Sequence, residues 1–330
     1  RRARGGGRAV GRDAAAHGRR ARVNARIVIT KALGSLATLA FVVVFNFFLF
    51  RVVETNPVST LFRGRNLTDA QRDELTREFG LDGSKLDQFW SYIQQTVGLN
   101  FGRSYVTNQP VMQEILDKAP GTIALVGIVA AWRRNSKTDY SSTTLTMTAY
   151  SMPDFWLGML LLTVFAVWLG WFPVGGISDP AAPDSGIGKW VDQAEHLFLP
   201  AVTLTVAYLG EYALVMRSSL IDTMREDYLV LARAKGLRDV LVRNRHAVPN
   251  ALLPVVTLVA INFGFVLSGA IAVETIFSWP GLGLASYDAL QGPDLPMLQG
   301  LFLVFSAAVI LFNLLADLLY VALDPRVREL

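Results

Sequence analysis

The 330-residue sequence has no cysteine, which excludes disulfide bonds, thiolate metal ligands and cysteine nucleophiles. It is also poor in charge, since 18% of its residues are Asp, Glu, Lys or Arg, compared with about 25% in a typical soluble domain. The three histidines, His17, His196 and His246, are far apart, and the topology below separates His196 from the others. No Gly-x-Ser-x-Gly or His-Glu-x-x-His motif occurs. The sequence therefore predicts neither an enzyme nor a metal site within this chain.

The hydrophobic residues, 52% of the chain, are gathered into blocks. A bilayer core of about 30 Å needs about 20 helical residues, and five blocks reach that length. They cover residues 27–50, 145–171, 197–216, 251–273 and 297–323. A sixth block, 120–132, is shorter. The pattern predicts an all-α, polytopic membrane protein with six transmembrane helices.

The distribution of Lys and Arg predicts the orientation of these helices, because basic residues accumulate in cytoplasmic loops. Residues 1–26 contain nine arginines and one acid, which predicts a basic, disordered cytoplasmic tail. The segments 132–140 and 217–249 are also basic, whereas 171–196 and 274–296 are acidic. Both termini are therefore expected in the cytoplasm, with 51–119 outside.

The second crossing is too short for this topology. Residues 122–132 supply about 15 Å of helix, half of the membrane core. Either residues 111–119 enter the membrane despite Glu114, Asp117 and Lys118, or part of the second helix is missing from the sequence. We favour the second explanation, with the junction near Val126 and Gly127.

The segment 51–119 predicts a small extracytoplasmic helical subdomain. Thr68 and Gln71 form a capping box for a helix over 69–79 that ends at Gly80. Ser84 begins a second helix, which ends at Gly98. We expect the apolar residues of this second helix to share one face: Leu86, Phe89, Trp90, Ile93 and Val97. The subdomain is expected to be a cap on the helix bundle, a landing place for an extracytoplasmic solute-binding protein, or both.

The cytoplasmic segment 217–250 is long, highly charged and rich in helix formers. It predicts a helix over 222–235 that Gly236 terminates, followed by a second short helix over 237–245. Small residues at 232 and 234 allow close approach of another backbone, and three long basic side chains surround them. This combination predicts a docking element for a soluble partner.

The spacing in this loop resembles a known motif. LARAKGL at 231–237, followed by His246, Val248 and Pro249, is similar to the EAA loop of permease subunits in ATP-binding-cassette importers, although the EAA triplet itself is absent. Other stretches resemble the dipeptide, oligopeptide and nickel permease family in its first-subunit branch. They are TREFGLD (76–82), NFGRSY (100–105), GIVAAWRR (127–134), YSMPDFWLG (150–158), LPAVTL (199–204), ETIFSWPGLG (274–283) and DLLYVALDPRVR (317–328).

The resemblance implies a type I importer permease in the bacterial inner membrane that forms half of a peptide translocation pathway. The implied partners are a second homologous permease, two ATPase subunits and an extracytoplasmic solute-binding protein. The ATPase subunits would bind ATP and Mg²⁺, and this chain would hold no cofactor. The resemblance places coupling to the ATPase on eight residues: Asp227, Tyr228, Ala232, Arg233, Ala234, Lys235, Gly236 and Leu237.

Polar residues within or beside the apolar blocks are candidates for function. Glu274, at an outer helix end, is the candidate for an outer gate, and Asp317 is expected to face the helix bundle near Asn313 and Tyr320. Glu211 is expected near the solvated inner interface. Two alternatives stay open: a permease for nickel or another small solute, and, in a different class, a secondary transporter or channel that works alone.

Overall fold

The computed structural model describes residues 25–53, 83–132, 151–183, 185–267, 270–292 and 294–323. Within these ranges the regular structure is helical, and the one backbone bridge joins Arg103 and Pro110. The predicted all-α, polytopic class is confirmed. The basic tail and the predicted helix over 69–79 lie outside the described residues.

Eleven α-helices are numbered here in chain order within the described ranges. They are α1 (Ala25–Phe47), α2 (Lys85–Val97), α3 (Val111–Trp132), α4 (Asp154–Leu161), α5 (Ile187–Thr223), α6 (Asp227–Ala234), α7 (Asp239–Leu241), α8 (Val248–Leu267), α9 (Ile271–Ile276), α10 (Leu282–Gln291) and α11 (Leu295–Leu323). Three π-helical segments continue α1, α4 and α7: Phe48–Val53, Leu162–Trp168 and Val242–Ala247.

Four helical stretches are long and apolar enough to cross a membrane: Ile27–Arg51, Ile187–Thr223, Asp239–Val266 and Leu295–Val321. A shorter apolar stretch, Asp154–Trp168, lies within the predicted third span. Each falls on one of the five long apolar blocks, because an apolar run satisfies its backbone hydrogen bonds in lipid only as a helix. The fifth predicted span, 251–273, is interrupted, since α8 ends at Leu267 and Ile271 begins the separate helix α9.

Helix α3 begins at Val111 and has 22 residues, so it is about 33 Å long. Its first turns carry Glu114 and Lys118, which form an ion pair at 3.3 Å, and Asp117. It is not among the four stretches that are apolar enough to span. The predicted shortage of apolar residues is therefore located at the outer end of this helix, and the proposed missing segment at Val126 and Gly127 stays a prediction.

The core lies where α3, α5, α8 and the segment around α9 meet. Leu125, Leu204, Phe277 and Trp279 are buried in one apolar cluster there. A second cluster joins α3 to α10 and α11, and the long helices α8 and α11 pack against each other. This packing holds α9 and the turn after it against the middle of α3, at Gly121 and Thr122.

Helix α2 begins as predicted after Ser84, whose hydroxyl accepts a hydrogen bond from the Asp87 amide in a capping box. Its buried face differs from the predicted one. Phe89 and Ile93 pack against Phe47, but Leu86, Trp90 and Val97 are exposed. Gln88 and Tyr92 are buried in their place, because the helix sits on α1 with the side that carries these two residues.

Candidate coupling surface and the turn 277–283

The loop between α5 and α8 folds around a small apolar cluster of its own. Helix α5 continues to Thr223, so the first residues of the loop extend the membrane helix, and the separate helix α6 begins at Asp227. Leu229 on α6 is fully buried against Val242 and Ala247. The cluster anchors α6 to the π-helical segment that leads into α8. Because Leu220 of α5 also packs against the cluster, α6 is held to the ends of both α5 and α8.

Hydrogen bonds fix the position of α6 in the loop. The Asn250 amide donates to the Tyr228 hydroxyl oxygen at 2.7 Å and to the His246 carbonyl at 3.2 Å, while the Tyr228 hydroxyl lies 3.3 Å from the same carbonyl. Arg233 forms an ion pair with Asp239 at 3.2 Å across the break between α6 and α7. His246 thus takes part in the loop fold through its backbone.

The break itself depends on Gly236. Its φ of +79° is in the left-handed region, where a residue with a Cβ atom is strained. The Leu237 amide donates to the Ala232 carbonyl at 3.4 Å, which closes the end of α6. The predicted role of Gly236 as a helix terminator agrees with this geometry.

The side of α6 that faces away from the cluster is apolar and exposed. Val230 and Leu231 are 54% and 58% exposed, and Leu237, Val240 and Leu241 continue the apolar area across the break. Lys235 and Arg238 are exposed beside it. We call these seven residues the coupling surface. Exposed apolar side chains bordered by charge are typical of a protein contact.

The structure divides the eight predicted coupling residues into two groups. Asp227, Ala234, Lys235, Gly236 and Leu237 are exposed. Tyr228, Ala232 and Arg233 face the loop interior, where they hold α6 in place. The coupling residues predicted from the sequence did not include Val230 and Leu231, which occupy positions where the EAA motif has other residues. These two apolar residues stand in an otherwise charged segment, and that pattern could have identified them as part of a contact surface.

Glu274, the predicted outer-gate residue, is fully buried beneath the turn 277–283. One carboxylate oxygen accepts a hydrogen bond from the Thr122 hydroxyl at 2.9 Å, and the other accepts one from the Leu284 amide at 3.0 Å. The Thr122 oxygen in turn accepts from the Leu282 amide at 2.9 Å. Burial raises the pKa of Glu274, and the hydrogen bonds from Leu284 and Thr122 oppose that rise. Glu274 and Thr122 together satisfy amides at the start of α10, which would otherwise lack acceptors.

The turn is also bonded directly to α3. The Trp279 indole N–H donates to the Gly121 carbonyl at 2.9 Å, and Trp279 is itself buried. A Cβ atom at Gly281 would lie 2.4 Å from a Glu274 oxygen, so only glycine allows the turn to pass over the carboxylate. The turn, α9 and α3 therefore form one closely packed unit.

Asp317 occupies a different setting from the predicted one. Its carboxylate lies 3.0 Å from the ammonium group of Lys31 on α1, and both side chains are nearly half exposed. Lys31 was missed because 286 residues separate it from Asp317 in the sequence. The pair joins the N-terminal part of α1 to the C-terminal part of α11.

Comparison with known families covers nearly the whole chain. Residues 123–329 match the family described as "Binding-protein-dependent transport system inner membrane component", and residues 24–126 match its N-terminal family. Among similar proteins are those named "Glutathione transport system permease protein GsiC". The one from Escherichia coli strain K12 is 38% identical over 316 residues, covering 91% of this chain and 98% of the relative. The one from Pectobacterium atrosepticum is 37% identical over 314 residues with the same coverage.

The alignment with the Escherichia coli relative contains gaps on the side of this chain. Because 91% of this chain amounts to fewer than 316 residues, the alignment contains positions at which the relative has a residue and this chain has none. The matched families and the apolar helices are those of a multi-pass protein of the bacterial inner membrane. The chain belongs to the family of binding-protein-dependent transport system inner membrane components, as an ATP-binding-cassette importer permease of the peptide and oligopeptide group.

Proposed function

We propose that this chain forms half of the translocation pathway of an ATP-driven importer of small peptides. It pairs with a second homologous permease and takes substrate from an extracytoplasmic solute-binding protein. Two ATPase subunits bind ATP and Mg²⁺ on the cytoplasmic side and move the pathway between outward and inward access. This chain contributes no ATPase site.

The coupling surface is the observation that carries the proposal. A transporter that works alone has no use for an ordered cytoplasmic helix that exposes Val230 and Leu231 to water. In a groove of an ATPase subunit these side chains become buried, and the rigid connection of α6 to α5 and α8 transmits movement into the membrane helices. Lys235 and Arg238 add long basic donors at the edge of the contact.

The peptide class rests on the relatives. The proteins with 37% and 38% identity are named as glutathione transport permeases, and glutathione is a peptide. On the outside, α2 exposes Leu86, Trp90 and Val97 together with nearby Leu99. We assign this apolar area as a contact for the solute-binding protein.

The test is uptake by the complete complex in proteoliposomes, with the solute-binding protein loaded with labelled alanyl-alanine or glutathione. We expect accumulation that requires ATP inside the vesicle. An otherwise identical complex whose ATPase subunits bind but do not hydrolyse ATP is the control and should not accumulate peptide. Uptake by this chain without ATPase subunits would contradict the proposal, as would an ATP-driven complex that transports neither peptide.

A further inference from the structure

A polar cluster lies in the membrane region between α5 and α8. The Asn262 amide nitrogen lies 2.9 Å from a Glu211 carboxylate oxygen and 2.7 Å from the Tyr212 hydroxyl. Tyr208 is one turn earlier on α5, with its ring centroid 6.4 Å from that of Tyr212. The cluster thus combines one carboxylate, one amide and two phenols.

The cluster lies between two long apolar helical stretches. Glu211 touches Asn262 and belongs to the apolar stretch Ile187–Thr223, whereas Asn262 belongs to the apolar stretch Asp239–Val266. Arg217 follows Glu211 by six residues, or about 9 Å along α5. A carboxylate within an apolar membrane helix costs free energy, and such residues face the bundle interior or a water-filled cavity.

Glu211 has unused capacity to accept hydrogen bonds. A carboxylate offers about four acceptor positions, and the Asn262 amide fills one of them. Within the described ranges no Lys or Arg lies within 4.0 Å of Glu211. Thr205 is on the same stripe of α5 as Tyr208 and Tyr212, and its hydroxyl is buried with no hydrogen-bond partner among the described residues. The stripe therefore holds polar groups that the fold of this chain leaves unsatisfied.

The electrostatic character of the stripe selects the ligand. Glu211 lies one turn after Tyr208 on α5 and shares Asn262 with the Tyr212 hydroxyl. A carboxylate beside two aromatic rings attracts a cation and repels an anion, and an ammonium group can bind both a carboxylate and the face of a phenol ring. Glu211 is half-buried, so one side of it stays open to such a group.

We propose that Glu211, Asn262, Tyr208 and Tyr212 form a transient binding site for the primary ammonium group of the peptide, on the face of α5 that lines the translocation pathway. The inference rests on the proposed peptide-import function. It also orients the chain, because it places the side of α5 that carries Glu211 toward the pathway and not toward lipid.

The first test compares Glu211→Gln with Glu211→Asp in the reconstituted complex, with alanyl-alanine and glutathione as probes. The Glu211→Gln variant keeps an acceptor for the Asn262 amide but removes the negative charge, whereas Glu211→Asp keeps the charge. We expect Glu211→Gln to lower the maximal uptake rate at least about tenfold and Glu211→Asp to lower it much less. The exposed Glu195→Gln on the same helix is the matched control and should transport at the wild-type rate.

The outcomes separate this inference from the proposed function. If the wild-type complex accumulates neither peptide, both fail together. If the wild type accumulates peptide and Glu211→Gln equals it, only the ammonium site is wrong. An equal loss of uptake rate in Glu211→Gln and Glu211→Asp, with assembly and basal ATPase activity intact, would also overturn the site. Such a result would indicate that transport needs the shape of the Glu211 side chain and not its charge.

A second test needs no transported substrate. Leu214 is exposed and lies one turn from Glu211 on α5. Because the chain has no cysteine, the substitution Leu214→Cys gives this chain a single thiol. We expect a cationic thiosulfonate to label this thiol faster than an anionic one, as read by the mass of this chain in the assembled complex. Adding Glu211→Gln should shrink the ratio of the two rates. Failure of both charged reagents to react would place this face in lipid or in a closed interface and overturn the inference.

Discussion

The turn 277–283 and the coupling surface are built in opposite ways. In the turn, Glu274 and Trp279 are buried, and their polar atoms bond to α3 and to the start of α10. In the loop between α5 and α8 the buried cluster is small, and apolar side chains such as Leu231 are exposed. The polar groups of the turn are satisfied within this chain, whereas the described residues leave the apolar side chains of the coupling surface uncovered. Substitutions in the turn should therefore reduce the stability of the chain, and substitutions on the coupling surface should reduce transport at unchanged stability.

The largest expected effect on stability comes from Glu274→Ala. This change leaves the Thr122 hydroxyl and the Leu284 amide buried without their acceptor, and each such group costs about 1 to 3 kcal/mol. We expect a clear drop in the thermal unfolding temperature of the purified chain in detergent. Glu195→Ala, at an exposed position, is the control. An unchanged unfolding temperature would mean that the turn is not held by these bonds.

Leu231→Asp should show the opposite behaviour. A charge at the centre of the coupling surface opposes burial in an ATPase groove, and we expect uptake to fall at least about tenfold, or about 1.4 kcal/mol. The unfolding temperature of the isolated chain should stay the same because Leu231 is exposed. Leu229→Asp is the matched control, since it is two residues away but fully buried and should unfold the loop. A drop in stability for Leu231→Asp would break the comparison.

Trp279→Phe tests a single bond of the turn. Phe fills most of the buried volume but cannot donate to the Gly121 carbonyl, so the expected loss is about 1 to 2 kcal/mol. Thermal unfolding should detect it as a smaller shift than that of Glu274→Ala. A shift larger than that of Glu274→Ala would show that packing of the indole, and not the carboxylate, holds the turn.

The smallest expected effect is that of Gly236→Ala, at about 1 kcal/mol, because alanine is strained at a φ of +79°. No atom lies within 4 Å of the position of the added Cβ atom, so the strain is confined to the backbone. Asn tolerates this conformation, and Gly236→Asn should be milder. Circular dichroism melting and uptake together measure the effect. If Gly236→Ala and Gly236→Asn lose stability and uptake equally, any side chain at position 236 interferes with a partner there, whatever its backbone preference.

Features set by nearby residues were predictable from the sequence. The long apolar blocks specified the membrane helices, Ser84 specified the start of α2, and Gly236 specified the end of α6. The family motifs supplied the importer class, which hydrophobic periodicity cannot supply. The coupling role of the eight residues named from those motifs stays a prediction, and five of the eight are exposed.

Contacts between distant residues were not predictable in the same way. Thr122 and Glu274 are 152 residues apart, and Glu211 and Asn262 are 51 apart, so no local pattern joins them. The rotation of α2 on α1, which buries Gln88 instead of Trp90, depends on the shape of its neighbour. The pairing of Lys31 with Asp317 likewise needed the packing of α1 on α11.

The most direct test of the coupling surface is site-specific photocrosslinking in the assembled complex. A photoreactive amino acid at Leu231 should crosslink this chain to an ATPase subunit, and the same group at buried Leu229 should not. The yield at 231 should change between the ATP-bound and the nucleotide-free complex, since the contact moves with the ATPase. Absence of any ATPase crosslink from 231, in a complex that retains ATP-driven uptake, would contradict the account.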